Sequence, residues 1–454
     1  MSLHRSPSRQ YSWATPTVTP QTSRAAAPPT RTAHLLQGAV IWLAGAFLLF
    51  QWFGLPVLAV GPSWALWQTV PDLLLWAALG AAALYQRPVG RAQVGVWRGL
   101  LGLGAGCVLA FALLFWMRDG HLGVAVPFGL FQLFKLIQIL GLFWVVSRLP
   151  LSRALLARWH TAVLISFVIT VVTVAWTYFS PALPTLLGQV LPHGLGISGP
   201  WESYYLHNEK GLGAIGYNHA HVAAMVLLQA ALLGILRPGR SQMWVLVAAL
   251  LACFLSGARA GLVGCLLFVV LESVRMPLRA SLSLALLVLA GLVVLPSLQG
   301  DLGGLIARQS TLLDAGDASN LAGRADIWRV YLDALLADPA RMLIGSGFGS
   351  GVANNGANAH TLILQVVYET GLAGLSVLLI FFVVLIMRLR ALGTRAAGIA
   401  LNLLAGLWLT ALTTETFYPV PALGSFLPLL ALALAVALLP RESSTSLHTQ
   451  EATS

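Results

Sequence analysis

Apolar runs long enough to cross a bilayer recur from about residue 35 to residue 439 and dominate what this chain can fold into. In hydrocarbon every backbone N–H and C=O must be satisfied within the chain, so spans of this kind can only be helices. Twelve runs are predicted, near 36–59, 64–85, 98–117, 124–147, 160–179, 218–236, 241–256, 260–274, 280–298, 362–387, 396–414 and 420–439. The closely spaced pair 241–256 and 260–274 is the hardest to separate. Only 9% of residues are charged, against about 25% in soluble domains. The expected fold class is therefore all-α, a polytopic membrane bundle solvated by lipid.

The basic residues orient that bundle. With the N-terminus inside, the four arginines of the N-terminal tail join Arg87, Arg91, Arg98, Arg148, Arg153, Arg158, Arg237, Arg240, Arg275, Arg279, Arg388, Arg390, Arg395 and Arg441. These are 18 of the 26 basic residues, and the pattern predicts cytoplasmic termini at both ends. The net charge of +11 is thereby a topology signal, and no nucleic-acid partner is expected. Residues 1–33 read as a disordered cytoplasmic tail, although their Ser/Thr/Pro/Arg composition also suits an organellar transit peptide. Residues 34–440 form the bundle and 441–454 a second cytoplasmic tail. No cleavable signal peptide is expected. Cys107, Cys253 and Cys265 all lie in apolar runs and read as packing residues.

Two exterior loops interrupt the pattern, at about 180–217 and 299–360. The second carries a period-3.6 segment in which Ile327, Val330, Tyr331, Ala334 and Leu335 share one face. Asp326 is its expected N-cap and Pro339 its expected stop. A Gly/Asn-rich stretch, Gly345 to Gly356, then leads to His360 at the mouth of the tenth run.

Several chemistries are excluded. Lys135 and Lys210 are the only lysines and neither follows a glycine-rich loop, so there is no P-loop. His219 and His221 stand two apart, about 200° around a helix, and cannot share a metal. No metal and no cofactor are expected.

The candidate site residues lie in the exterior segments. Arg259, within Ser256-Gly257-Ala258-Arg259, is either a snorkelling helix-end arginine or an anion contact left open by its small neighbours. Arg324 is either a solvated loop residue or the second of two guanidinium forks suited to a diphosphate. Lys210, Arg329 and Arg341 are weaker candidates for the same field. His360 is either a hydrogen-bonded helix-end residue or a general base, since imidazole exchanges its proton near neutral pH. On a single helix starting at His360, Val367, Gly371 and Gly374 share its face and Glu369 falls opposite. Glu415 could shape an acceptor site. Lys135, costly within a span, is expected to pair with Asp72 or to bind a lipid phosphate.

With these residues in view, the chain resembles the O-antigen ligase and O-antigen polymerase superfamily of bacterial envelope enzymes. The resemblance rests on Ser256-Gly257-Ala258-Arg259, on Gly323-Arg324 leading to Trp328, on Asp338-Pro339 and Gly345-Ser346-Gly347-Phe348-Gly349, and on His360-Thr361 followed after nine residues by Gly371-Leu372-Ala373-Gly374. Gly216-Tyr217-Asn218-His219-Ala220-His221 departs from the family's pattern, which leaves open whether His219, a candidate substrate-binding residue, is catalytic or a local variant. The resemblance implies a metal-independent, inverting glycosyltransferase of the inner membrane acting on undecaprenyl-diphosphate-linked glycan at the periplasmic face. Arg259 and Arg324 would hold the diphosphate, and His360 would activate or orient the acceptor hydroxyl. The acceptor would be a glycan, as in a polymerase, or lipid A-core, as in a ligase; protein O-glycosylation is a further alternative. A polymerase is favoured by the lack of a dedicated soluble domain. Secondary transport is the rival from another class, but the polar residues collect in exterior loops, and Lys135 is the one good midplane candidate.

Overall fold

A computed structural model describes residues 31–59, 67–85, 122–149, 151–180, 210–215, 218–238, 242–278, 281–286, 299–311, 324–419 and 425–438, with a few isolated positions besides. The expected runs 98–117 and 280–298, most of the first exterior loop and both tails lie largely or wholly outside these residues.

The described chain is almost entirely helical. The helices are α1 (Arg31–Leu49), α2 (Val70–Leu84), α3 (Leu122–Arg148), α4 (Arg153–Phe179), α5 (His219–Leu236), α6 (Met243–Leu255) and α7 (Arg259–Ser273). They continue as α8 (Gln299–Ser310), α9 (Arg324–Ala337), α10 (Pro339–Ile344), α11 (Ser350–Asn355), α12 (Leu362–Leu392), α13 (Arg395–Ala411) and α14 (Phe426–Leu438). Among the described residues, five of the expected runs carry a helix both long and apolar enough to cross a membrane: Thr32–Trp52, Ala125–Val146, Arg153–Phe179, His219–Leu236 and Leu362–Leu392. Other apolar helices are shorter, among them α2, α6, α13 and α14. The pair at 241–256 and 260–274 proves to be two helices joined by a three-residue turn, Ser256 to Ala258, with Gly257 at φ +72°.

The first two runs are shorter as helices than their apolar lengths predict. A small antiparallel hairpin, β1 (Pro56–Ala59) and β2 (Trp67–Thr69), occupies the segment between them. The second helix starts only at Val70, where Thr69 and Asp72 form a reciprocal capping box. Asp72 has a second partner: its Oδ1 accepts from Lys135 Nζ at 2.5 Å, with both side chains buried. The expected ion pair is present, and the Lys135 ammonium also lies 5.3 Å from the centre of the Phe131 ring.

Helix α5 is apolar all round and buried nearly throughout, the pattern of a central core helix. It packs against α4, α6, α7, α13 and α14. Helices α7 and α13 cross at Gly264 and Gly406, where a Cβ on either would meet the other's carbonyl oxygen closer than 3.0 Å. Absent side chains let the two backbones touch, which is how membrane helices gain packing without a hydrophobic driving force. The outward faces carry exposed Val168, Val172 and Trp176 on α4, and Ile380, Val383, Val384 and Met387 on α12. Contiguous apolar surface of this extent suits lipid rather than water.

Candidate active site

The site lies at one end of the bundle, where α5, α7 and α12 begin and where α6 and α13 end. Arg259 is the first residue of α7, and its Nη1 donates to Thr311 Oγ1 at 2.6 Å. Arg308 on α8 donates from Nε to the carbonyl oxygen of Gly257 at 3.0 Å, so α8 is tied down across the α6–α7 turn. Lys210 packs its stem near Gly257.

Lys210, Arg259, Arg308 and Arg324 form one cationic cluster. Burial lowers the Lys210 ammonium to about 8, and the charges of Arg308 and Arg259 push it the same way. Arg308 is lowered by burial and then by Arg259 and Arg324. Arg324 is lowered by burial and by Arg259, while the nearby Glu415 carboxylate opposes the shift. Like charges gathered in partly dry surroundings destabilise a protein unless an anion joins them. His219, at the first position of α5, sits among Lys210, Arg308 and Arg324.

Arg324 opens α9, and that helix also holds the His360 loop. Its next turns bring Trp328 and Tyr331 onto the loop, where Trp328 Nε1 donates to the Ala359 carbonyl and Tyr331 Oη to the Ala357 carbonyl, each at 2.8 Å. Burial pushes the Tyr331 phenol well above its ordinary range, so it remains a neutral donor. The Ala359 N–H donates to Gln365 Oε1 at 2.8 Å. The His360 N–H donates to Glu415 Oε1 at 2.5 Å, and His360 Nδ1 stands 3.6 Å from the same oxygen. Glu415 is buried, whereas the His360 side chain is 34% exposed.

Held through its N–H and the preceding residues of its loop, His360 adopts φ +53°, the one positive φ at a non-glycine among the described residues. Such a conformation persists where surrounding contacts over-determine it, and it gathers at functional sites. Arg259, Arg324, Glu415 and His360 thus form a chain of neighbours around one mouth.

Other expectations need correction. The helix containing the 327–335 face starts at Arg324, so Asp326 sits within its first turn instead of capping it. That helix does stop before Pro339, at Ala337, and Pro339 then opens the next helix, which Asp338 caps; proline is tolerated there because its missing N–H would have no helical partner. Arg329 is exposed on α9 and has no described contact with the cluster. Arg341 turns elsewhere, its Nη1 donating to Tyr368 Oη at 3.4 Å beside Asp338.

The single helical face through His360, Val367, Gly371 and Gly374 does not form. Thr361 is the N-cap of α12, which breaks at Gly371 (φ 68°, ψ −178°). The break frees carbonyls that a continuous helix would use, and the Gly345–Gly347 segment takes them. Ser346 N donates to Tyr368 O and Gly347 N to Glu369 O, both at 2.9 Å. A Cβ at Gly345 or Gly371 would run into the backbone of the other segment, which is why the two glycine motifs occur together.

Two important residues escaped sequence reading. Arg308 shows no signal in the sequence beyond its charge. Glu369 had one, because a carboxylate within an apolar run is costly and needs partners. It is fully buried and accepts from Gln132 Nε2 at 2.8 Å, Gln365 Nε2 at 2.9 Å, Tyr418 Oη at 2.7 Å and Gly351 N at 3.2 Å. Through them it ties α3, α11, α12 and the segment after α13 together beneath the His360 loop.

Among the described residues, no group of three or more His, Cys, Asp or Glu is placed to hold a metal ion. No curated protein matches the chain. Residues 244–379 match a family described as O-antigen ligase. That stretch runs from α6 into α12 and contains Arg259, Arg308, Arg324 and His360, whereas Lys210, His219 and Glu415 fall outside it. Apolar helices and this match together indicate a multi-pass membrane protein, and the match supports the O-antigen ligase and polymerase superfamily for this chain.

Proposed function

We propose that the protein transfers a glycan from a polyprenyl diphosphate to an acceptor hydroxyl at the membrane surface, with the cationic mouth on the periplasmic side. The observation that carries this reading is the continuity from Arg259 and Arg324 through Glu415 to His360. A cationic field stands at one end and a carboxylate-backed imidazole at the other.

In this reaction the acceptor oxygen attacks the anomeric carbon on the face opposite the diphosphate. The new C–O bond forms as the bond to the diphosphate oxygen breaks, which inverts the centre. Negative charge builds on the departing polyprenyl diphosphate, and Arg259, Arg308, Arg324 and Lys210 stabilise it. Such preorganised charge acts most strongly where water is excluded. The acceptor proton passes to the His360 nitrogen that faces away from Glu415, whose carboxylate orients the ring and stabilises the imidazolium.

In the polymerase reading the acceptor is a second glycan, so that one glycan extends another. The family description supports the ligase alternative, with lipid A-core as acceptor. Purified protein given an undecaprenyl-diphosphate-linked repeat unit, with and without a lipid A-core acceptor, separates the two by product length and acceptor labelling. In the same assay His360→Gln should cut turnover about 10²–10⁴-fold with little change in donor affinity. Arg324→Ala should weaken the donor itself. Normal turnover in both variants would sink the assignment.

A further inference from the structure

The far end of the same helices carries a second polar feature. Helix α7 runs from Arg259 in the mouth to Ser273, with Arg275 just beyond. Helix α12 runs from the His360 loop to Arg390 and Leu392, and α13 returns from Arg395. Between these ends lies a cavity of about 800 Å³ lined by Arg275, Arg390 and Arg395 together with apolar side chains of α12 and α13. Its arginine end is therefore remote from the site described above, at the opposite ends of the same helices.

Three guanidinium groups line the cavity, and one of them, Arg395, pairs with the neighbouring carboxylate of Glu272. Glu272 is buried and its oxygens are already taken, Oε2 by Arg395 Nη2 at 2.5 Å and Oε1 by Asn402 Nδ2 at 2.6 Å. Arg275 and Arg390 are exposed. Arg395 Nη1 is buried with no hydrogen-bond partner among the described residues. A buried donor without an acceptor is destabilising, so Arg395 Nη1 favours an anionic acceptor at this end of the cavity.

The cavity's depth and walls indicate what kind of anion this is. From Arg395 the lining continues along α13 through Leu401 and Leu404 to Trp408. That is 13 residue steps, about 20 Å at 1.5 Å per residue. Trp408, the last of these lining residues, packs against Phe382 at 5.1 Å and Phe417 at 5.2 Å between ring centres, which makes this end aromatic and apolar. A small soluble anion would use the arginines and leave this apolar length empty. A lipid fills both parts.

We propose that this cavity binds an anionic glycerophospholipid. Its phosphodiester oxygens accept from Arg275, Arg390 and the unused Nη1 of Arg395, while one acyl chain lies against Leu401, Leu404 and Trp408. The basic residues clustered at this end of the bundle match the headgroup layer of an anionic leaflet, where each such side chain strengthens attachment about fivefold.

The test titrates delipidated full-length protein in neutral detergent with phosphatidylglycerol or phosphatidylcholine and measures bound lipid by native mass spectrometry. Phosphatidylglycerol should bind at least tenfold tighter. The double variant Arg275→Ala/Arg390→Ala leaves the Arg395–Glu272 pair intact and should weaken phosphatidylglycerol about 25-fold, with phosphatidylcholine unchanged. Ala405→Phe narrows the apolar part without touching a charge and should weaken both lipids. Unchanged phosphatidylglycerol binding in the double variant would overturn the proposal. So would inorganic phosphate competing at concentrations equal to the lipid's, since the cavity would then be a site for free anions.

Discussion

Gly371→Ala is the sharpest probe of how the site is built, because its cost can be worked from the backbone alone. Gly371 combines φ 68° with ψ −178°, a region essentially reserved for glycine and costing other residues about 1–3 kcal/mol. The new Cβ would also lie closer than 3.0 Å to the Leu343 carbonyl and Ile344 N. Backbone cannot rotate aside as a side chain can, so the 343–347 segment must retreat. Retreat breaks the Ser346–Tyr368 or Gly347–Glu369 hydrogen bond, or both, in a buried setting. Each buried group left unsatisfied costs about 1–3 kcal/mol. The expected total is about 2–6 kcal/mol with one bond lost and up to about 9 kcal/mol with both, a large part of an ordinary protein's stability. Gly356→Ala is the matched control. It too has positive φ, 72°, but its Cβ would enter open space, so only about 1–2 kcal/mol is expected. Unfolding of both variants in mixed micelles, with hydrogen exchange at Ser346 and Gly347, measures the difference. Glycan transfer should be lost in Gly371→Ala, because the displaced segment leads directly into α11 and the His360 loop. If the two variants unfold within about 1 kcal/mol of each other and Ser346 stays protected, the proposed mutual wedge between Gly345 and Gly371 is wrong.

Two further outcomes are expected at the cationic cluster. Arg308→Ala should weaken binding of a lipid diphosphate about 10–100-fold, the worth of one charge-assisted hydrogen bond, and isothermal titration with the purified donor checks this. Lys210, lowered to about 8, carries its positive charge below that pH and loses it above. Donor affinity in the free protein should therefore fall as pH rises through about 8, and Lys210→Arg should flatten that limb. Equal slopes in the two proteins would remove Lys210 from the diphosphate field.

Much of the site was legible because membrane sequences have few places for polar residues. In a chain this apolar, Arg259, Arg324 and His360 stand out by composition and position, and so does the need of Lys135 for an anionic partner. The sequence also located the amphipathic face of α9, since a 3.6-residue period requires no partner to be recognised. It could not reveal that Arg324 and the clamps Trp328 and Tyr331 serve one loop, because that depends on where α9 docks.

Tertiary structure decided the rest. A helical wheel started at His360 placed Glu369 away from the site, whereas the helix begins only at Leu362 and the neighbouring segments fold against Glu369, making it the buried knot beneath the loop. Arg308 joined the cluster only through its reach across the α6–α7 turn to Gly257. Glu415 became the partner of His360 across 55 residues of chain. Apolar length and charge placement are one-dimensional quantities, fixed by what lipid and water each tolerate. Which cation meets which carboxylate is decided by packing between segments remote in the chain, and no local pattern records it.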